Sequence, residues 1–160
     1  MTKSILSLDE VKLQRQKSKE EGKKVVFTNG VFDIIHSGHV DYLNKAKALG
    51  DILIVGLNSD ISVKKIKGEK RPIIPERDRA FVLSNLKAVD FVVLYDDETP
   101  KKLIDEIIPD FLVKGGDWPL DKIVGRDTVV KNGGEVKNID FVNFYSTSQI
   151  INTILKRSKN

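Results

Sequence analysis

Short apolar runs alternate with longer amphipathic stretches along the chain. Residues 24–29 (KVVFTN), 51–57 (DILIVGL), 90–95 (DFVVLY) and 110–114 (DFLVK) are rich in β-branched and aromatic residues. Each predicts a buried strand of a parallel sheet. A weaker run at 135–142 (EVKNIDFV) predicts a fifth. Helical patterns cover 38–49, 59–66, 76–87, 99–107, 121–132 and 146–156, and residues 5–21 predict one amphipathic helix ahead of the sheet. Thr99-Pro100 and Asp60 act as helix-start signals, while Gly50 and Gly133-Gly134 act as stops. The alternation predicts an α/β fold, a Rossmann-like, doubly wound, parallel five-stranded sheet with helices on both faces. The expected organisation is a single domain over 1–160, with an N-terminal helix in 1–22 and an α/β core in 23–160.

Sheets of this kind bind ligands beyond the carboxyl ends of their strands, near the point where strand order reverses. Three polar clusters follow predicted strands: Thr28-Asn29-Gly30, Asn58-Ser59-Asp60 and Lys114-Gly115-Gly116-Asp117. They are expected to meet at one edge of the sheet, and that convergence marks the site.

Composition narrows the classes. A chain of 160 residues fits one domain, which commonly holds roughly 100–200 residues. No apolar run approaches the ~18–20 residues of a membrane span, and the charged N-terminus carries no signal-peptide core. With no cysteine, disulfides, thiolate zinc sites and a cysteine nucleophile are excluded, which fits a cytoplasmic protein. The net charge of +4 is spread thinly, without the dense basic stripe of a nucleic-acid binder. Neither nucleic acid nor membrane is expected as a partner. Positive residues gather between 64 and 79, beside glycine and proline, as suits neutralisation of a small anion. A solvated charged loop is the alternative.

The chemistry concentrates in residues 28–43, TNGVFDIIHSGHVDYL, which hold both histidines of the chain, His36 and His39. Spacing of i, i+3 at the start of a helix places both imidazoles on one side. A helix N-terminus offers unpaired N–H groups and partial positive charge, and Gly38 lets a phosphate approach the backbone closely. Other readings are a metal pair, which lacks a third His or Cys, and residues that tie down a turn. A dinucleotide-binding domain wants G-x-G-x-x-G after the first strand, and N-G-V-F-D stands there instead.

The run from Gly30 to His39, GVFDIIHSGH, resembles the G-x-F-D-x-x-H-x-G-H signature of the HIGH-type nucleotidyltransferase superfamily. Residues 56–72 (GLNSDISVKKIKGEKRP), Arg79-Ala80, Thr99-Pro100, 109–117 (PDFLVKGGD), Ile123-Val124-Gly125 and Ser146-Thr147-Ser148 resemble the D-glycero-β-D-manno-heptose 1-phosphate adenylyltransferases. The likeness runs in order over 24–156. It departs at Phe144, where relatives often carry a small residue, and at Trp118, which is familiar from glycerol-phosphate cytidylyltransferases. Arg126 is particular to this chain and receives no role.

The resemblance implies transfer of AMP from ATP to a heptose 1-phosphate, with release of pyrophosphate, for lipopolysaccharide or other surface polysaccharide. The alternative is cytidylyl transfer from CTP to glycerol 3-phosphate or another polyol phosphate. It implies that His36, His39 and Lys67 are catalytic, with Lys67 on a loop that closes over phosphates. Thr28, Asn29, Gly30, Phe32, Gly38, Lys64, Lys114, Gly115, Asp117, Ser146, Thr147 and Ser148 would hold the nucleotide. Asn58, Asp60, Arg71 and Arg79 would hold the acceptor, although Arg79 could instead pair with Glu76 or Asp78. Asp33 would anchor the turn that aims His36. Asp117 would also meet Mg²⁺, the expected cofactor. Further implications are a homodimer and a stand-alone transferase whose sugar kinase is a separate protein.

Overall fold

Val25, Val26, Phe27 and Thr28 are fully buried, and their side chains serve two different cores. Val26 packs with one apolar cluster, while Val25 and Phe27 pack with another. This is the pattern of a strand covered on both faces. The computed structural model describes residues 4–116, 118–140 and 146–158. In chain order the elements are β1 (Ile5–Leu6), α1 (Leu8–Glu20), β2 (Val25–Gly30), α2 (Ser37–Lys47), β3 (Ile52–Asn58), α3 (Asp60–Lys67) and α4 (Glu76–Ser84). There follow β4 (Phe91–Tyr95), α5 (Lys101–Ile107), β5 (Phe111–Gly115), a 3₁₀ turn (Leu120–Lys122), α6 (Arg126–Lys131), β6 (Glu135–Ile139) and α7 (Thr147–Arg157).

The strands form one six-stranded sheet in the order β1-β4-β3-β2-β5-β6, and every pairing is parallel. One face is covered by α2 and α4 through Tyr42, Leu43, Ala46, Ala80 and Leu83. The other is covered by α1, α5 and α6 through Val11, Leu103, Ile104, Ile107 and Val129. The chain builds outward from β2 to β3 and β4, then returns to lay β5 on the other side of β2. Strand order therefore reverses between β2 and β5, and a crevice opens at their carboxyl ends.

The expected fold class holds, with two corrections to its elements. The sheet has six strands rather than five, because Ile5 and Leu6 pair with Val92 and Val93 at the sheet edge. The stretch 5–21 is thus not one helix. Ser7, in extended conformation, caps α1 and forms a capping box with Glu10, so the helix starts only at Leu8. The stretch 121–132 also divides. Gly125 takes a φ of +86°, and a Cβ there would meet the Ile104 side chain at 2.7 Å, so the left-handed turn and the close packing both require glycine.

Arg79 clamps the loops above the α2/α4 face. Its side chain is wholly enclosed; it donates to the Ile74 carbonyl at 2.9 Å and the Val31 carbonyl at 2.6 Å, and pairs with Asp60 at 2.7 Å. The Asp60 amide donates in turn to Glu76. Arg79 and Asp60, expected at the acceptor, therefore hold each other and the backbone. Replacing Arg79 with leucine leaves two carbonyls and one carboxylate without their partner, and is expected to cost about 3 kcal/mol. Urea denaturation measures this, and an unchanged midpoint would remove Arg79 from the stability of the fold.

Candidate active site

The β2–α2 connection carries the histidines, and its shape comes from three local contacts. Phe32 adopts a positive φ of 46° and folds its ring against Gly30, where a Cβ would stand 2.9 Å from it. The same ring meets His39 edge-on at 5.2 Å. Asp33 turns inward, accepts the amides of Ile73 (2.8 Å) and Ile74 (2.9 Å), and pairs with Arg71 at 2.8 Å. Asp33 thus anchors the turn, as expected. Its anchorage is the 71–74 loop, and Arg71, expected against the acceptor, lies on Asp33.

His36 occupies the N-cap of α2 in extended conformation and makes no side-chain capping bond. Ser, Thr, Asp or Asn at this position would hydrogen-bond the first-turn amides. Here the His39 amide bonds the His36 carbonyl at 3.0 Å, while the amides of Ser37 and the buried Gly38 have no partner among the described residues. His36 and His39 stack with centroids 3.9 Å apart. Burial pushes both imidazoles down from 6.5, and the neighbouring His36 adds to the effect on His39, which falls to about 4. Both rings are therefore neutral at pH 7. Their Nδ1 atoms are buried and have no hydrogen-bond partner among the described residues.

The start of α7 lies beside this mouth: the Thr147 hydroxyl reaches the Ile34 carbonyl at 3.5 Å. Ser146 caps α7 and shares a capping box with Gln149. Thr28 is completely buried and pairs through its hydroxyl with Tyr42 at 2.6 Å, and Tyr42 donates to the Val113 carbonyl. Thr28 locks α2 onto the sheet and offers the crevice no side chain.

Next to the mouth, a cleft of ≈ 410 Å³ opens over the carboxyl ends of β2, β3, β4 and β5. Asn29, Gly30, Asn58, Lys67 and Lys114 of the expected residues line it, together with Trp118. Lys64 lies outside it, 3.9 Å from Glu69. Trp118 is 60% exposed, and its carbonyl accepts from Asn138. Arg126 pairs with its neighbour Asp127. Asp117 and Phe144 lie outside the described residues. Tyr95, Glu98 and Lys122 also line the cleft and were not anticipated. Applying the strand-end rule to β4, whose run closes on Tyr95-Asp96-Asp97-Glu98, would have found two of them.

Among the described residues no cluster of His, Cys, Asp or Glu could hold a metal ion. The carboxylates nearest the histidines in sequence, Asp33 and Asp41, are already paired with Arg71 and Lys45. A larger hollow of ≈ 800 Å³ lies between α1 and α5, lined in part by Lys24 and Asp110 at the opposite, amino-terminal edge of the sheet. It is remote from this chemistry.

A doubly wound parallel sheet with an uncapped helix mouth, two neutral imidazoles and a lysine-bearing cleft defines an α/β domain built to hold phosphate groups. Comparison with known proteins makes this specific. The chain belongs to the family described as cytidylyltransferase-like, which matches residues 27–153. It is 53% identical to the bifunctional protein HldE of Citrifermentans bemidjiense over 94% of this chain. It is 55% identical to that of Wolinella succinogenes, also over 94% of the chain. In both cases the chain spans only 31% of the relative's length. Among solved structures, the lipopolysaccharide core biosynthesis protein of Thermoplasma volcanium is 34% identical, with a TM-score of 0.63, over 78% of this chain and 100% of that one. Pantothenate synthetase of Thermus thermophilus matches at a TM-score of 0.62 over 98% of this chain and 70% of that one. Its 16% identity makes that likeness one of fold alone. Among the described residues no helix is long and apolar enough to cross a membrane.

The depressed imidazoles make a pH prediction. Between about 4 and 6.5 the unfolded chain binds more protons at His39 than the folded one. Stability from this group is therefore complete above 6.5 and is lost as pH falls towards 4. Anion binding reverses the shift, so ATP binding at pH 6 should take up more protons in the wild type than in His39→Asn. Calorimetry in buffers of different ionisation heat reads the difference; equal uptake would place the triphosphate away from His39.

Proposed function

We propose that the chain is a nucleotidyltransferase that moves AMP from ATP to D-glycero-β-D-manno-heptose 1-phosphate and releases pyrophosphate. The observation that carries this reading is the stacked His36–His39 pair at the uncapped mouth of α2. The heptose assignment is supported by the resemblance over 56–72 and 109–117, and by the name of the 34%-identical Thermoplasma structure, which places that protein in lipopolysaccharide core synthesis.

In the proposed reaction an oxygen of the acceptor phosphate forms a bond to the α-phosphorus of ATP. The bond from that phosphorus to the β-bridging oxygen breaks, and its electron pair leaves with pyrophosphate. The attacking oxygen is already anionic near neutral pH, so positioning and charge neutralisation supply the catalysis. The free amides of α2 and the imidazoles of His36 and His39 donate to the triphosphate. The α7 mouth, tied to Ile34 through Thr147, adds donors for the outer phosphates. Lys67, the last residue of α3 before Gly68 at φ +91°, follows the leaving group. Magnesium would enter bound to the ATP oxygens, since it keeps few protein ligands; the described residues offer it no prepared cage, and Asp117 is the residue proposed to approach it. The reading further includes a cytoplasmic location, a homodimeric assembly and a sugar kinase activity that supplies the acceptor.

Pyrophosphate release distinguishes the two acceptor classes. ATP with heptose 1-phosphate should be productive, whereas CTP with glycerol 3-phosphate, the alternative that Trp118 in the cleft wall favours, should be far slower. Turnover only with CTP would overturn the assignment. His39→Asn should lower kcat by roughly 10²–10³-fold in a protein that still unfolds cooperatively. Lys67→Ala should lower kcat and raise the KM for ATP together.

A further inference from the structure

Lys114 is the one charged side chain carried by the central strands into the crevice, and its surroundings are unusual for a lysine. It leaves β5 next to the fully buried Val113 and lines the cleft. Its ammonium donates to the Asn29 side-chain oxygen. Among the described residues no carboxylate pairs with it. Burial pushes its pKa down to about 8, because a cation removed from water without an anion is disfavoured.

Its one described partner is fixed by a chain of polar groups that crosses the strand ends. The Asn29 amide donates to the Tyr95 hydroxyl at 2.9 Å, so its oxygen is left to face Lys114. Burial holds the Tyr95 phenol un-ionised, raised to about 12, and it also hydrogen-bonds Asn58. The Asn58 amide donates to Ser62 at 2.9 Å, and Ser62 donates to the Asp97 carbonyl at 2.7 Å. Asn29 satisfies one of the three ammonium protons. The other two remain for a ligand in the cleft.

The histidine mouth and this cleft adjoin at β2, yet neither histidine lines the cleft. Two phosphate groups meet in the proposed reaction, and the mouths of α2 and α7 already serve the triphosphate. The geometry points to Lys114, aligned by Asn29 and Tyr95, as the residue that binds the acceptor's phosphate monoester. This assignment rests on the nucleotidyltransferase reading and separates Lys114 from the nucleotide ligands among which the sequence placed it. Asn29 and Tyr95 act as positioning residues. A dianionic phosphate then supplies the counter-charge that Lys114 lacks among the described residues.

The test measures binding of heptose 1-phosphate and glycerol 3-phosphate, and separately of ATP, by calorimetry on the full chain. Lys114→Met is expected to weaken the bound monoester by roughly 10–100-fold, the worth of a charge-assisted hydrogen bond, and to leave ATP affinity unchanged. Lys114→Arg should restore much of the loss. Asn29→Asp, which hands Lys114 an internal anion, should also weaken the monoester while Lys114 is retained. Unchanged monoester affinity in Lys114→Met, or a loss confined to ATP, overturns the assignment. Lys114-dependent binding of glycerol 3-phosphate with none of heptose 1-phosphate would sustain Lys114 and sink the heptose reading. A wild-type chain that binds neither monoester overturns both.

Discussion

The carboxylate of Asp33 has a side chain only 1% exposed, and a charge so enclosed has to be met by donors. The α3–α4 connection meets it, with the amides of Ile73 and Ile74 and the guanidinium of Arg71. The shape of the β2–α2 turn and the path of the 71–74 loop are therefore one problem with one solution. Arg79 completes it from below by holding Val31 on one side and Ile74 on the other. Without these clasps the turn would have no reason to place Phe32 in a left-handed conformation, and the imidazoles would lose the ring against which His39 packs. The turn is thus braced from a loop that directs two backbone amides and one guanidinium at Asp33.

Much of this was legible in the sequence, for reasons that differ by residue. The strands that read as continuous apolar runs are those buried on both faces, where periodicity carries no ambiguity about the environment. The histidine turn was legible because its residue types are fixed by what they do: glycine beneath Phe32, aspartate turned inward, histidine at a cap position. β1 was not legible, because two apolar residues ahead of an amphipathic helix fit the helical pattern as well as a strand. Only Ser7 and Glu10, read as a capping box, mark the true start of α1. The Arg79–Asp60 pair was not legible for a different cause: an arginine in a basic stretch looks like a ligand for anions, and nothing in the sequence says that Asp60, nineteen positions earlier, comes to it. Lys114 and Tyr95 belong to strand ends, and their connection through Asn29 depends on strand order, which periodicity does not supply.

The two helix mouths at the site are finished differently, and the difference divides their work. In α7 the Ser146 hydroxyl and the Gln149 side chain satisfy donors at both ends of the first turn, so the helix begins stably whether or not a ligand is present. In α2 the cap residue is His36 and its side chain makes no such bond. The amides of Ser37 and Gly38 there have no partner among the described residues and are left for a ligand. An uncapped helix start costs about 1 kcal/mol, and α2 bears that cost because Tyr42, Leu43 and Ala46 bury its other face and Tyr42 ties it through Thr28 to the sheet. Stability from packing lets the mouth stay open for binding.

Charge is arranged with the same economy on the two sides of the crevice. The proposed reaction must bring one anion against another, so a site that repelled neither would still have to overcome their mutual repulsion. Three lysines, Lys67, Lys114 and Lys122, line the cleft with a single described acid, Glu98. The mouth of α2 instead carries two imidazoles that burial keeps neutral. Had His36 and His39 both been charged, their stacking at 3.9 Å would have been strongly opposed. In the proposed reaction the neutral rings would gain positive charge as phosphate approaches, so the field at the α-phosphorus would strengthen on binding. The cleft, by contrast, holds its charge in advance and would orient the incoming monoester before the triphosphate is in place.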